Sequence, residues 1–188
     1  EWDELSTAER AKLLGRAGAP ALGVSLNVTK DGEICARSNH VLKGYWNQPE
    51  ATNEAIRDGW FHTGDGGYID ENNYVTIADR KKDVIISGGE NVSSIEVEDV
   101  LFAHEQVTEV AVIGVPDEKW GETVKALVVI EGDISEKELI EFCRSKLAHY
   151  KCPTSIEFRD ELARTATGKL QKYKLRAPYW EGHDKLVN

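Results

Sequence analysis

Asp79-Arg80-Lys81-Lys82-Asp83 places five charged residues in a row and runs directly into the β-branched trio Val84-Ile85-Ile86. Five consecutive charges cannot be packed into a core without large desolvation costs. The stretch therefore reads as a solvated joint in front of a short buried strand, with a separate body on each side. Ser87-Gly88-Gly89 follows as a turn, because glycine reaches backbone angles closed to other residues and leaves room for a ligand. Ser93 with Glu96 has capping-box spacing, so a helix should begin there. The same stretch also fits a plain surface linker followed by a β-hairpin, and the rest of the chain has to decide between the two.

The two sides of the joint differ. Before it, Ser6 or Thr7 can cap a short helix within residues 1–20. Residues 21–28 and 33–38 make a hairpin around Asp31-Gly32, a helix covers 50–56, and 67–70 pairs with 74–78 across Glu71-Asn72-Asn73. Beyond it, Val97, Val100, Leu101 and His104 share a helical face. Residues 107–115 and 124–130 are Val-rich strands, 135–148 is an amphipathic helix, and 155–158 is a third strand. This predicts an α+β chain: a partial, β-barrel-like subdomain over 1–79, a hinge at 80–82, and a small α+β lid domain over 83–188. The lid should contain a three-stranded sheet plus a hairpin, with flanking helices.

With 33 acidic and 23 basic residues the formal charge is −10, which argues against a general nucleic-acid or membrane-surface binder. No apolar run is long enough to span a bilayer. Cys35, Cys143 and Cys152 lack metal-type spacing and fit free thiols in a reducing cytoplasm. The first residue is not Met, and the chain reads as a fragment or processed product.

Several positions could carry chemistry. Asp65, in Thr63-Gly64-Asp65, can accept bonds from the vicinal hydroxyls of a ribose, or simply cap its own turn. The fork of Arg80 can reach ribose or phosphate oxygens, or make a surface ion pair. Lys81 and Lys82 read as solvated. Trp120 can stack on a base or pack on its own domain. Thr165-Ala166-Thr167-Gly168-Lys169 has half of a phosphate loop, but the full spacing fails, so a P-loop nucleotidase is excluded. Lys169 on a mobile loop can still act as a point charge on a carboxylate or phosphate, and Lys172, Lys174 and Arg176 add to a positive tail suited to an anionic ligand. His62 and His149 show no partner pattern.

Seven ordered stretches carry a resemblance. They are Gly44-Tyr45-Trp46 with Pro49-Glu50-Ala51-Thr52, Asp58 through Asp65, Asp79 through Val92, Gly114-Val115-Pro116-Asp117, Trp120-Gly121-Glu122, Tyr150-Lys151-Cys152-Pro153, and Arg164 through Lys169. Together, from about Gly23 to Arg176, they resemble the C-terminal part of the adenylate-forming superfamily, the acyl-CoA synthetases in particular. The resemblance implies a two-step reaction. A carboxylic acid, with fatty acids first among the candidates, reacts with ATP to give an acyl-adenylate; the thiol of coenzyme A then displaces AMP.

By position, the resemblance puts Asp65 and Arg80 on the ribose and Lys169 between carboxylate and nucleotide. It makes Lys82 the hinge, lines the pantetheine channel with Gly88 and Gly89, and counts Trp120 among the cofactor-binding residues. The phosphate loop, the Mg²⁺-binding Glu and the acyl pocket of the family have no counterpart here. They are expected on an N-terminal domain of the same enzyme, without which the chain should be inactive. Three departures stand out: Ala163 for a common Pro, Asn72-Asn73 for Asp-Gly, and Ser93-Ser94 for an aromatic-Pro pair. Two other readings are an adenylation domain that loads a carrier protein and a non-catalytic binding module that kept the lid fold.

Overall fold

The computed structural model describes residues 4–183. The chain falls into two compact units, 1–81 and 82–188. The first three residues of the expected N-terminal helical stretch and the last five of the chain lie outside the described residues.

In the first unit, helix α1 (Thr7–Leu14) starts at Ser6, whose hydroxyl accepts from the Glu9 amide while the Glu9 side chain returns to Ser6. Such a reciprocal cap contributes about 1 kcal/mol. Strands β1 (Ser25–Val28) and β2 (Glu33–Arg37) form the hairpin expected around Asp31-Gly32. Helix α2 (Pro49–Ala55) has Pro at its first position, where the missing N–H costs nothing. After the two-residue β3 (Ile56–Arg57) comes β4 (Trp60–Ile69), which pairs antiparallel with β2, with β3 and with β5 (Val75–Arg80).

The sequence pointed to a short strand at 67–70, whereas β4 has ten residues and runs straight through Thr63-Gly64-Asp65. Three glycines and one acid, Gly64-Asp65-Gly66-Gly67, hide the strand from any alternation rule, and the register shifts at Gly66/Gly67. The five strands make one open antiparallel sheet, not a closed barrel, among the described residues. Asn73 takes the left-handed conformation expected of it, at φ 61°.

The second unit is built on β6 (Ile85–Ser87), β7 (Glu90–Val92), α3 (Ser94–Phe102), β8 (Val107–Asp117), β9 (Gly121–Ile130), α4 (Glu136–Arg144), β10 (Ser155–Phe158) and α5 (Lys172–Arg176). β8, β9 and β10 are the predicted three strands, with β10 parallel to β9. The β6–β7 hairpin joins their sheet through Ser87 opposite Gly121. Gly88 and Gly89 are its two turn residues, at φ 60° and 88°, which is the primed turn that matches the twist of the strands. Ser93 caps α3 by accepting from the Glu96 amide, as expected. α5 has no counterpart in the sequence reading.

Alternate residues of the β8–β9 hairpin go to opposite faces. Val110, Val112, Val124, Ala126 and Val128 pack under α3 and α4 with Val97, Leu101, Leu139 and Cys143. Ala111, Ile113, Val115 and Leu127 face Leu162, Leu170, Leu175 and Tyr179 from the C-terminal stretch. The sheet is therefore covered on both sides, which is why its strands read as near-continuous apolar runs.

Cys35, Cys143 and Cys152 are free and buried. Burial pushes the Cys143 thiol up to about 12, from an ordinary value of 9.0. Below pH 9 the thiol is protonated whether the chain is folded or not, and the fold keeps its full stability. Above pH 9 the unfolded chain sheds this proton and the folded one does not, so stability falls by about 1.4 kcal/mol per pH unit toward pH 12. Urea denaturation between pH 8 and 10.5 should show this decline. Cys143→Ala should flatten it by up to that slope, and an unchanged slope would show that Cys143 does not titrate as a buried thiol.

Candidate functional site

In the first unit the chemistry gathers along β4. Asp65 pairs in register with Arg80 on β5, and Arg80 Nε donates to Asp65 Oδ1 at 3.1 Å. The arginine side chain is largely solvent-exposed, and the carboxylate is partly so. The Thr63 hydroxyl donates to the Ile34 carbonyl at 2.7 Å and accepts from the Asp65 amide at 3.1 Å. This fixes the backbone from which Asp65 projects. Arg80 leaves the second carboxylate oxygen of Asp65 available to a ligand hydroxyl.

Beside this pair lies a group that sequence reasoning missed. Glu33, only 5% exposed, accepts from the Gly64 amide at 3.0 Å and lies 3.1 Å from His62 Nδ1. Cys35 Sγ is 3.4 Å from the same nitrogen. The signal was present in principle: Glu33 and Cys35 are two apart on one strand and so share a face, and Cys35 pairs in register with His62. The donor atoms of Glu33, Cys35 and His62 lie within 4.8 Å of one another.

Two cations already serve this group. Arg57 Nη2 is 2.8 Å from His62 Nδ1, and Lys81 Nζ is 3.3 Å from Glu33 and 2.6 Å from Asp31. Burial works to raise the Glu33 pKa, but His62, the Gly64 amide and Lys81 outweigh it and hold the carboxyl below the ordinary range. Lys81 is pushed up, first by its bond to Asp31, whose own carboxyl it holds well down. Lys81 is therefore tied into unit 1, not simply solvated as its place in a charged run suggested. Mg²⁺ takes hard oxygen donors in an octahedron. A thiol, an imidazole and one carboxylate faced by two cations do not fit it, so no step is assigned to a metal at this group.

In the second unit, Gly88 and Trp120 meet. The Gly88 amide donates to the Trp120 carbonyl at 2.9 Å, and a Cβ placed on Gly88 would stand 2.6 Å from Trp120 Cε3. A Cβ at Gly89 would meet nothing within 4 Å. Asp117 Oδ1 accepts from the amides of Lys119 and Trp120, holding the turn that presents the indole, which is 49% exposed. Trp120 thus packs on the glycine turn of its own domain, while about half of the residue remains exposed. Gly89, Trp120, Pro116, Tyr179 and Trp180 line a cavity of about 700 Å³.

Lys169 lies on the returning leg of a tight turn, directly after its tip at 166–168. Thr165 N donates to Lys169 O at 2.8 Å, Gly168 N to Thr165 O at 2.9 Å, and Lys169 N to Thr165 Oγ1 at 3.1 Å. Arg164 and Leu170 close its base as an isolated bridge. The backbone is hydrogen-bonded across the loop expected from sequence. The Lys169 side chain is exposed and its ammonium has no recorded partner among the described residues. Lys82 is also exposed; its carbonyl accepts from Arg176 at 2.9 Å. Among the described residues no helix is long and apolar enough to cross a membrane.

Residues 96–169 match the family model described as AMP-binding enzyme C-terminal domain. Among curated proteins, the chain is 45% identical over 172 residues to a 2-succinylbenzoate–CoA ligase of Bacillus mycoides, covering 87% of this chain and 36% of that protein. It is 49% identical over 150 residues to the long-chain-fatty-acid–CoA ligase FadD13 of Mycobacterium tuberculosis, covering 79% and 30%. Among solved structures, ATP-bound MatB from Rhodopseudomonas palustris superposes with a TM-score of 0.85 at 39% identity, over 90% of this chain and 37% of that one. The chain spans about a third of the length of these relatives. Its matching segment and its CoA-ligase relatives place it together: the chain belongs to the adenylate-forming superfamily and carries that superfamily's AMP-binding C-terminal domain.

Proposed function

We propose that this chain is the C-terminal portion of an AMP-forming acyl-CoA synthetase. In the first step a carboxylate oxygen attacks the α-phosphorus of ATP, forming the acyl–phosphate bond and releasing pyrophosphate. In the second, the thiol of coenzyme A attacks the acyl carbon, the acyl–phosphate bond breaks with AMP as leaving group, and the thiol proton goes to solvent. The acid is a fatty or related carboxylic acid. The preceding large domain supplies the phosphate loop, the Mg²⁺ ligand and the acyl pocket. The working compartment is the cytoplasm.

The observation that carries this reading is the state of Lys169. The chain has a formal charge of −10, and Lys81, Lys125, Lys151 and Lys172 are all engaged with carboxylates. Lys169 makes no ion pair among the described residues and follows directly on a hydrogen-bonded turn that ends in Gly168, at φ 84°. An ammonium kept off local carboxylates is suited to an incoming anion, and one charge-assisted bond to developing negative charge contributes about 1.5–3 kcal/mol.

Asp65 takes the ribose hydroxyls, with Arg80 steadying it. Gly88 and Gly89 offer a wall without side chains for the pantetheine arm, next to the Trp120 indole. Lys169 serves the first step and the glycine turn the second, so the second unit turns about Lys82 between them.

Three outcomes test this. The 188-residue chain alone should catalyse no ATP–pyrophosphate exchange with a panel of fatty acids, and appreciable exchange would defeat the reading. In the chain joined to its large domain, Lys169→Ala should lower acyl-adenylate formation by about 10²–10³-fold while supplied acyl-adenylate still reacts with coenzyme A. Gly88→Ala should do the reverse, because its methyl must displace the Trp120 ring; equal losses in both half-reactions would refute the division of labour.

A further inference from the structure

Arg164 does more than precede the turn. Its Nε and Nη2 donate to Glu109 Oε2 at 3.0 and 2.6 Å, and its Nη1 donates to the Gly168 carbonyl at 2.7 Å. One guanidinium thus ties β8, through Glu109, to the peptide immediately before Lys169. The planar fork makes this possible, since its donors point in fixed and different directions.

The other leg of the turn is tied as well. Lys172 Nζ donates to Ser94 Oγ at 2.6 Å and pairs with Glu98 at 2.7 Å, and Glu98 accepts from the Val112 amide on β8 at 2.7 Å. Leu162 and Leu170 sit in the apolar cluster beneath. The Gln171 amide donates to the Ala163 carbonyl at 2.9 Å. Ala163 leaves the usual proline restraint out of this leg, and the Arg164 bracket provides a restraint of a different kind.

We infer that Arg164, braced by Glu109, is a positioning residue for Lys169: it holds the Gly168–Lys169 peptide against the sheet so that the ammonium reaches its anionic partner in one geometry. This rests on the proposed role of Lys169 in adenylation. A side chain displaced by about 1 Å can lose a hundredfold in rate. Arg164 touches no reacting atom, so its removal should affect only the step that uses Lys169.

The test compares Arg164→Lys, Arg164→Ala and Lys169→Ala in the chain joined to its large domain, with the two half-reactions measured separately. Lysine keeps a charge opposite Glu109 but lacks the fork that spans both acceptors. Arg164→Lys should lower acyl-adenylate formation about tenfold and Arg164→Ala about 10–100-fold, with the reaction of supplied acyl-adenylate and coenzyme A unchanged. A fall in both half-reactions would mark a merely structural role and overturn the inference, as would full activity of Arg164→Ala while Lys169→Ala is impaired. If Lys169→Ala itself leaves adenylation intact, the reading of Lys169 fails first. A second readout uses the 188-residue chain alone: tryptic cleavage after Lys169, followed by mass spectrometry, should accelerate several-fold in Arg164→Lys. An unchanged cleavage rate would show that Arg164 does not order the turn.

Discussion

The second unit depends on the β8–β9 hairpin being buried on both faces. Each strand alternates its side chains, so a sheet with one wet face would need polar residues at every second position. Here the second face carries Ala111, Ile113, Val115 and Leu127. These must be covered, and the C-terminal stretch covers them with Leu162, Leu170, Leu175 and Tyr179. Tyr179 is fastened further by its hydroxyl, which contacts Glu157, and the Trp180 indole N–H donates to the Gly114 carbonyl at 3.0 Å. The Lys169 turn lies inside this covering stretch. The apolar drive that folds the tail onto the sheet is therefore also what brings Arg164 to Glu109 and fixes where Lys169 emerges.

The charged run at 79–83 is organised in a comparable way, with each unit holding its own end. Lys81 is bonded through its amide to the Gly64 carbonyl and through its ammonium to Asp31 and Glu33. On the other side, Arg176 donates to the Lys82 carbonyl and faces Asp83 at 3.9 Å. The contact boundary between the units falls on the Lys81–Lys82 peptide. Within the run Arg80 and Lys82 are exposed, Lys81 and Asp83 are half-buried beside partners of opposite charge, and Asp79 is buried.

Elements with a local cause were legible in the sequence. Ser6 and Ser93 cap the helices they precede, the Asp31-Gly32 and Gly88-Gly89 turns close hairpins, and β10 occupies the residues expected of it. Features with a non-local cause were not. β4 extends through its glycines because β2 and β5 supply hydrogen bonds on either side, information that no window of the sequence contains. The five-residue α5 has too few turns to be stable alone and forms where Leu175 finds the second face of the sheet. The Glu33–Cys35–His62 group and the Arg164–Glu109 bracket join residues 27 to 55 positions apart. Asp65, Arg80, Gly88, Gly89, Trp120 and Lys169 were singled out because each stands in or beside a short stretch that resembles a family motif. Their supports were invisible because a surface carboxylate such as Glu109 looks like any other.

Net charge bears on how such a site can work. A chain at −10 repels anions at long range, yet at physiological salt that field decays over about 8 Å, so an arriving anion responds chiefly to the charges it touches. Around the Lys169 turn the local sum is set by pairing. Glu109 answers Arg164 and Glu98 answers Lys172, which leaves those four side chains nearly neutral as a group and holds the turn in place. Lys169 then remains as the positive charge just past the turn. Were Glu109 within reach of the Lys169 ammonium, it would occupy that ammonium in place of an incoming anion. By engaging Glu109, Arg164 both fixes the turn and keeps a carboxylate occupied elsewhere. The rigidity of the turn and the availability of its ammonium thus come from one guanidinium.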